Sequence, residues 1–391
     1  MKHLYTLFAV YRREFRLVFS DVGVMLFFFF LTIAYLVIYT VIYNPETLTD
    51  LPFVVVDHDR TEQSRRLARA LDATQAMAIY DYAPDMPAAR EMLNNHNAFG
   101  VLEIPDDYSR RLGRGEQGVV TFYADMSLLL RYRTFLMAIT DVQLAEGARI
   151  QQQTIADAGL VGQSIGSAPV NSEAFMLGDP TQGFASFIIP GILVLIIQQS
   201  LILGTSMLAA GGSERRRRNG GIDPLEIPAP PFTTVVGKVM CYLTLYLPVC
   251  VYVLYIVPRM FALPHIGHLA DYILFILPML IAAGSLGITI SVFVKERESS
   301  LLVVVFTSVV FLFLSGLTWP RYAMSGFWRL LGDAIPATWG VEGFIRLNSN
   351  GALLSSQSTP YAMLWILAAV YLTTAVLTVR YLYPANRRLR R

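Results

Sequence analysis

Hydrophobic residues make up 54% of the 391-residue chain and charged residues only 15%, with a mean hydropathy of +0.48. Soluble domains carry roughly 25% charge, so that class is excluded. The formal net charge of +2 goes with no nucleic-acid partner.

Gly23 to Tyr43 contains no charged residue over 21 positions, long enough as a helix to cross a bilayer core. It is predicted to stay as an anchor: it begins late for a signal peptide, and Tyr39, Tyr43 and Asn44 stand where a small-residue cleavage site would be. Residues 44–183 are then polar enough to fold in water. Within them Phe53–Val56, Met77–Tyr82, Phe99–Ile104 and Val119–Tyr123 are strand-like. They alternate with helical patterns over Thr61–Leu71, Pro87–Leu93 (N-cap Asp85) and Asp106–Leu112. Such alternation predicts a small α/β domain. A long helix is predicted over Ser127–Ala158, then a Gly-, Ser- and Pro-rich linker with one strand at Ala174–Leu177. The insert holds 11 Arg against 19 Asp plus Glu, a net of −8, which reads as a solvated acidic face or a surface for a cationic ligand.

Five further apolar runs follow: 184–209, 233–257, 271–294, 299–317 and 361–383. Pro248 and Pro278 fall inside two of them and predict kinks. Cys241 and Cys250 share one run and would lie about 13 Å apart along a helix, too far to bridge. With both termini inside, the cytoplasmic side gathers Lys2, Arg12, Arg13, Arg16, Arg215–Arg218, Lys238, Lys295, Arg297, Arg380, Arg387, Arg388, Arg390 and Arg391. The short outer loops hold only Arg259, Arg321, Arg329 and Arg346. This bias sets the orientation and puts the insert outside, with Trp319, Trp328 and Trp339 as an aromatic belt.

Chemistry is sparse. Gly237-Lys238 is followed by Val239 and lacks the upstream glycine and Ser or Thr of a phosphate loop, and His265 with His268 makes half a metal site. Nothing argues for an enzyme. Ionisable residues are nearly absent from the spans, and the candidates Asp271, Lys295 and Arg380 lie at span ends, which disfavours an ion-coupled carrier. Gln198, Gln199 and Ser200 lie mid-span, read either as interhelical hydrogen bonds or as the lining of a translocation path.

In order, Tyr11-Arg-Arg-Glu-Phe-Arg16 with Ser20-Asp21, Phe53-Val-Val-Val-Asp57, Ala98-Phe-Gly-Val-Leu-Glu-Ile-Pro105, Phe187-Ile-Ile-Pro-Gly191, Glu214-Arg-Arg-Arg-Arg-Asn-Gly220, Leu314-Ser-Gly-Leu-Thr-Trp-Pro320 and Ile335-Pro-Ala-Thr-Trp-Gly-Val-Glu-Gly343 resemble the type-2 ATP-binding-cassette exporter permeases, in the subgroup with a large extracytoplasmic domain after the first span. Two departures are Asp179-Pro180 for the usual Asn-Pro, and four consecutive arginines in the loop before the third span. The resemblance implies an α-helical polytopic membrane protein of six transmembrane helices with an inserted extracytoplasmic α/β domain. It further implies an amphipathic helix over 1–22 with Arg12, Arg13 and Arg16 at lipid headgroups, a cytoplasmic coupling loop near 210–232 and an outer hairpin near 318–360.

Functionally, the resemblance implies a bacterial inner-membrane permease subunit that exports an amphiphilic small molecule, drug or lipid. A second copy or paralogue, a cytoplasmic ATPase that binds ATP and Mg, and a periplasmic adaptor with an outer-membrane channel are its implied partners. Glu14, Glu214, Arg215, Arg216, Arg217 and Arg218 are the expected coupling residues, with Gln198, Gln199 and Ser200 on the path. The rival reading is a non-transporting scaffold or receptor whose outer domain binds a protein.

Overall fold

The computed structural model describes residues 2–43, 48–157, 183–263, 265–291, 293–294 and 296–382. The predicted linker with its strand at 174–177, Asp179-Pro180, Lys295 and the basic tail from Arg387 lie outside the described residues. In chain order the elements are α1 (Lys2–Ser20), α2 (Val22–Tyr43), β1 (Leu51–Asp57), α3 (Glu62–Asp72), β2 (Met77–Tyr82), α4 (Met86–Asn94), β3 (Gly100–Ile104), α5 (Tyr108–Gly113), β4 (Thr121–Ala124) and α6 (Leu129–Asp157). There follow α7 (Phe184–Arg218), α8 (Pro231–Met260), α9 (Leu269–Ile290), α10 (Arg297–Leu314), α11 (Gly326–Asp333), α12 (Pro336–Ser349) and α13 (Ser358–Leu382). They separate into two compact units, Met1–Glu46 with Met176–Arg391, and Thr47–Phe175.

The smaller unit is built on one sheet of order β2-β1-β3-β4, in which β1 pairs parallel to β2 and β3, and β4 is antiparallel to β3. Strand β1 is buried on both faces because its side chains alternate. Phe53 and Val55 pack with Leu67 and Leu71 of α3 and Phe135 of α6, while Val54 and Val56 pack with Ala89 of α4. The two crossovers add strands on opposite sides of β1, so connections of one hand place α3 and α4 on opposite faces. Capping fixes where the helices start: Thr61 and Ser64 form a reciprocal capping box on α3, and Asp85 accepts from the Ala88 N–H at 3.0 Å on α4.

Among its described residues the larger unit contains six helices long and apolar enough to cross a membrane: α2, α7, α8, α9, α10 and α13. Helices α7 and α9 form its centre, whereas α2 and α10 bury few of their side chains. Phe28 of α2 inserts edge-on between Tyr242 and Tyr246 of α8, with ring centroids 6.2 and 5.0 Å away. Gly204 of α7 makes room for it, since a Cβ there would fall 1.7 Å from the Phe28 ring. The π-helical turn Leu26–Phe30 is backed by Thr32, whose hydroxyl donates to the Phe27 carbonyl at 3.0 Å.

Two predicted features are corrected. The segment from residue 210 is not a loop: α7 stays helical through Arg218, about 52 Å in all, so its last turns extend past a hydrocarbon core of about 30 Å. Pro248 and Pro278 lie inside α8 and α9, which run on past them, and a π turn over Tyr252–Ile256 follows Pro248. Trp339 is buried, donating its Nε1–H to the Asp333 carbonyl at 3.0 Å beneath the Arg321 guanidinium, so of the three expected belt tryptophans Trp319 and Trp328 are the exposed pair. Arg321 also pairs with Asp333 and Glu342, which ties α11 to α12.

Candidate functional site

Two polar regions of the larger unit lie among the helices that the sequence singled out. The first is a layer of buried charge at the α1 end. Glu14, on the inward face of α1, is fully buried and accepts from the Tyr242 hydroxyl at 2.6 Å, with Lys238 Nζ at 3.4 Å and Arg13 Nη1 at 3.4 Å. Lys238 and Tyr242 meet the same carboxylate because residues four apart share a helix face. Burial pushes the Glu14 carboxyl upward, but Lys238, Arg13 and the Tyr242 hydrogen bond outweigh it and hold the group below the ordinary carboxylate range.

Next to this cluster, Arg215 forks onto Asp223, with Nε to Oδ1 at 3.0 Å and Nη2 to Oδ2 at 3.1 Å, and Arg13 Nη2 reaches the same Oδ2 at 3.1 Å. Burial raises Asp223, yet Arg215, the Leu225 N–H and Arg13 together lower it below its usual range. The layer thus joins α1, the end of α7, the turn that follows it and the start of α8.

These contacts sort the expected coupling residues. Arg13 was expected at lipid headgroups; it is instead turned inward onto Glu14 and Asp223, because two carboxylates wait there. Glu14 is buried, so any part it takes in coupling passes through Lys238 and Tyr242 and not through direct contact with a partner. Arg215 and Arg216 fold back on Asp223 and Glu226, while Arg217, paired with Glu296 at 3.4 Å, and Arg218 are exposed. Glu214 accepts the Arg297 N–H at 3.0 Å and so caps α10. Lys238, counted from the sequence only as an inner positive charge, is a buried ion-pair member two turns into α8. A lysine inside an otherwise apolar span was the signal for it.

The second region is a cavity of ≈470 Å³ between α2, α7 and α10, walled chiefly by Phe27, Tyr35, Tyr39, Leu195, Leu301, Val305 and Leu312. Its polar points are neutral: Thr32, Gln199, Ser200 and Ser308. The Gln199 amide nitrogen and oxygen are both buried without a protein partner among the described residues. Ser200 accepts from the Tyr246 hydroxyl at 3.1 Å. Gln198 is not brought to this cavity. It is fully buried, and its Oε1 accepts from the Ala337 N–H at 2.6 Å, serving the first turn of α12.

A multi-pass helical membrane protein with a buried charged layer at one end and an apolar cavity between three spans has the makings of a permease. Residues 22–377 match the family described as ABC-2 family transporter protein, and the chain belongs to that family. It is therefore the membrane component of an ATP-binding-cassette transporter, and its partner is a separate ATPase subunit. A comparison with curated proteins finds no match.

Proposed function

We propose that the chain is the permease of an exporter that moves an amphiphilic small molecule, drug or lipid through the cavity between α2, α7 and α10. The cavity carries this reading. Its walls suit an apolar body, and Gln199 with Thr32, Ser200 and Ser308 offers neutral hydrogen bonds to a polar end. The reading includes a dimer with a second copy or paralogue, and the uncovered apolar sides of α2 and α10, among them Phe30, Ile38, Phe306 and Phe313, are open to a second permease as well as to lipid. In this reading both termini and the charged layer face the cytoplasm of a bacterial inner membrane, and the α/β unit lies outside, where an adaptor with an outer-membrane channel can receive the cargo. ATP and Mg are held by the ATPase, which docks on the exposed Arg217 and Arg218.

The test is reconstitution with the cognate ATPase in lipid vesicles. The permease alone should hydrolyse no ATP. The complex should hydrolyse and export, and Ser308→Trp, which fills the cavity, should abolish export while assembly persists. Normal export by a well-assembled Ser308→Trp complex would overturn the path. Replacing Arg217 and Arg218 with Gln should leave insertion intact and lower export and ATPase stimulation together. For orientation, cysteines at Gly115 and Gly220 should label from opposite sides with an impermeant thiol reagent.

A further inference from the structure

One guanidinium joins the three helices that line the cavity, just past the cavity's end nearest α1. Arg297, the first residue of α10, places Nη1 2.6 Å from Asp21 Oδ2 and Nε 3.7 Å from Glu214 Oε2. Asp21 is the N-cap of α2, accepting the Val24 N–H at 3.3 Å, and Glu214 sits in the last turns of α7. Gly211 of α7 lets the group approach, since a Cβ there would lie 2.8 Å from Arg297 Nη2. The nearest cavity residues follow closely: Leu301 stands one turn on from Arg297, about 6 Å along the axis, and Phe27 is about 9 Å on from Asp21.

We propose that Arg297 is a positioning residue that clasps α2 and α10 to α7 and closes the α1 end of the cavity. Cargo entering from that end has to part Arg297 from Asp21. A planar, permanently charged fork suits the task, because it engages carboxylates on two helices at once and lets go of one without losing the other. Glu214 stays with α10 through the Arg297 N–H, so the Asp21 contact is the one that opens. The proposal rests on reading the cavity as the transport path.

The test uses the full complex in inside-out vesicles, with cysteine at Ser308 as reporter and the parent chain, whose Cys241 and Cys250 are buried, as background. Arg297→Gln should raise the rate of Ser308→Cys modification by a small impermeant methanethiosulfonate at least tenfold. Arg297→Lys, which keeps the charge but not the fork, should fall between. A cysteine at Gly220 should label equally in every background. If Arg297→Gln does not assemble, Asp21→Asn tests the same contact from the other helix, because asparagine can still cap α2; it too should raise the rate. Equal Ser308→Cys rates with and without the clasp, in an assembled complex, overturn the proposal. Normal export with the Ser308→Cys thiol blocked by a bulky reagent overturns the path reading instead, and leaves the comparison of rates standing.

Discussion

The charged layer and the cavity handle polarity in opposite ways. In the layer every carboxylate is ionic and paired: Glu14 with Lys238 and Arg13, Asp223 with Arg215 and Arg13. In the cavity the polar groups are neutral, and the Gln199 amide has no protein partner among the described residues. Paired buried charges fix the relative positions of the elements that carry them, because parting them exposes an uncompensated charge to low dielectric. Neutral groups can exchange partners at little cost. In the proposed function the layer transmits motion between α1, α7 and α8, and the cavity accepts a ligand and releases it.

The largest effect should come from breaking the layer's central pair. Lys238→Met leaves Glu14 buried and uncompensated and should cost about 3–5 kcal/mol, seen as lost yield and a lower melting temperature in detergent. Adding Glu14→Gln should restore most of it; no recovery would mean that the two do not act as a pair. Asp223→Asn should cost about 1.5–3 kcal/mol by weakening hydrogen bonds to two arginines. Both carboxyls are depressed in the fold, so the stability they contribute is present above the ordinary carboxylate range and lost as pH falls through their lowered values. Melting should stay level from neutrality to about pH 5 and fall below it, less steeply in Asp223→Asn.

Adjacent glutamines sharpen the contrast further. Gln198→Leu orphans the Ala337 N–H and should cost about 1–3 kcal/mol. Gln199→Leu, which removes an amide without a protein partner, should leave melting within about 0.5 kcal/mol of the parent while changing which amphiphiles stimulate the complex. Equal stability losses from the two substitutions would erase the distinction between packing and path.

Much of the larger unit was legible because hydropathy and charge are local. Six apolar runs became six helices, displaced by a few residues at their ends except for α7, which runs on to Arg218. In the smaller unit, Asp85 announced α4, and the continuous apolar run Phe53–Val56 announced a buried strand. Three adjacent polar residues at 198–200 could not be told apart from the sequence. A helix turns 100° per residue, so Gln198 and Gln199 face different neighbours, and only the packing of α7 says which neighbour is α12 and which is the cavity.

The sequence by itself determined which segments leave water, their number, and that no nucleotide loop accompanies them, since each follows from the composition of a short window. Tertiary structure alone decided the rest. Tyr242 and Glu14 are 228 residues apart in the chain, and Arg297 meets Asp21 and Glu214 from equally unrelated stretches. A charge near the end of a span reads the same whether it faces headgroups or a buried partner. Arg13 and Lys238 became members of a buried network only because folding set opposite charges within 4 Å of them, where desolvation makes pairing obligatory.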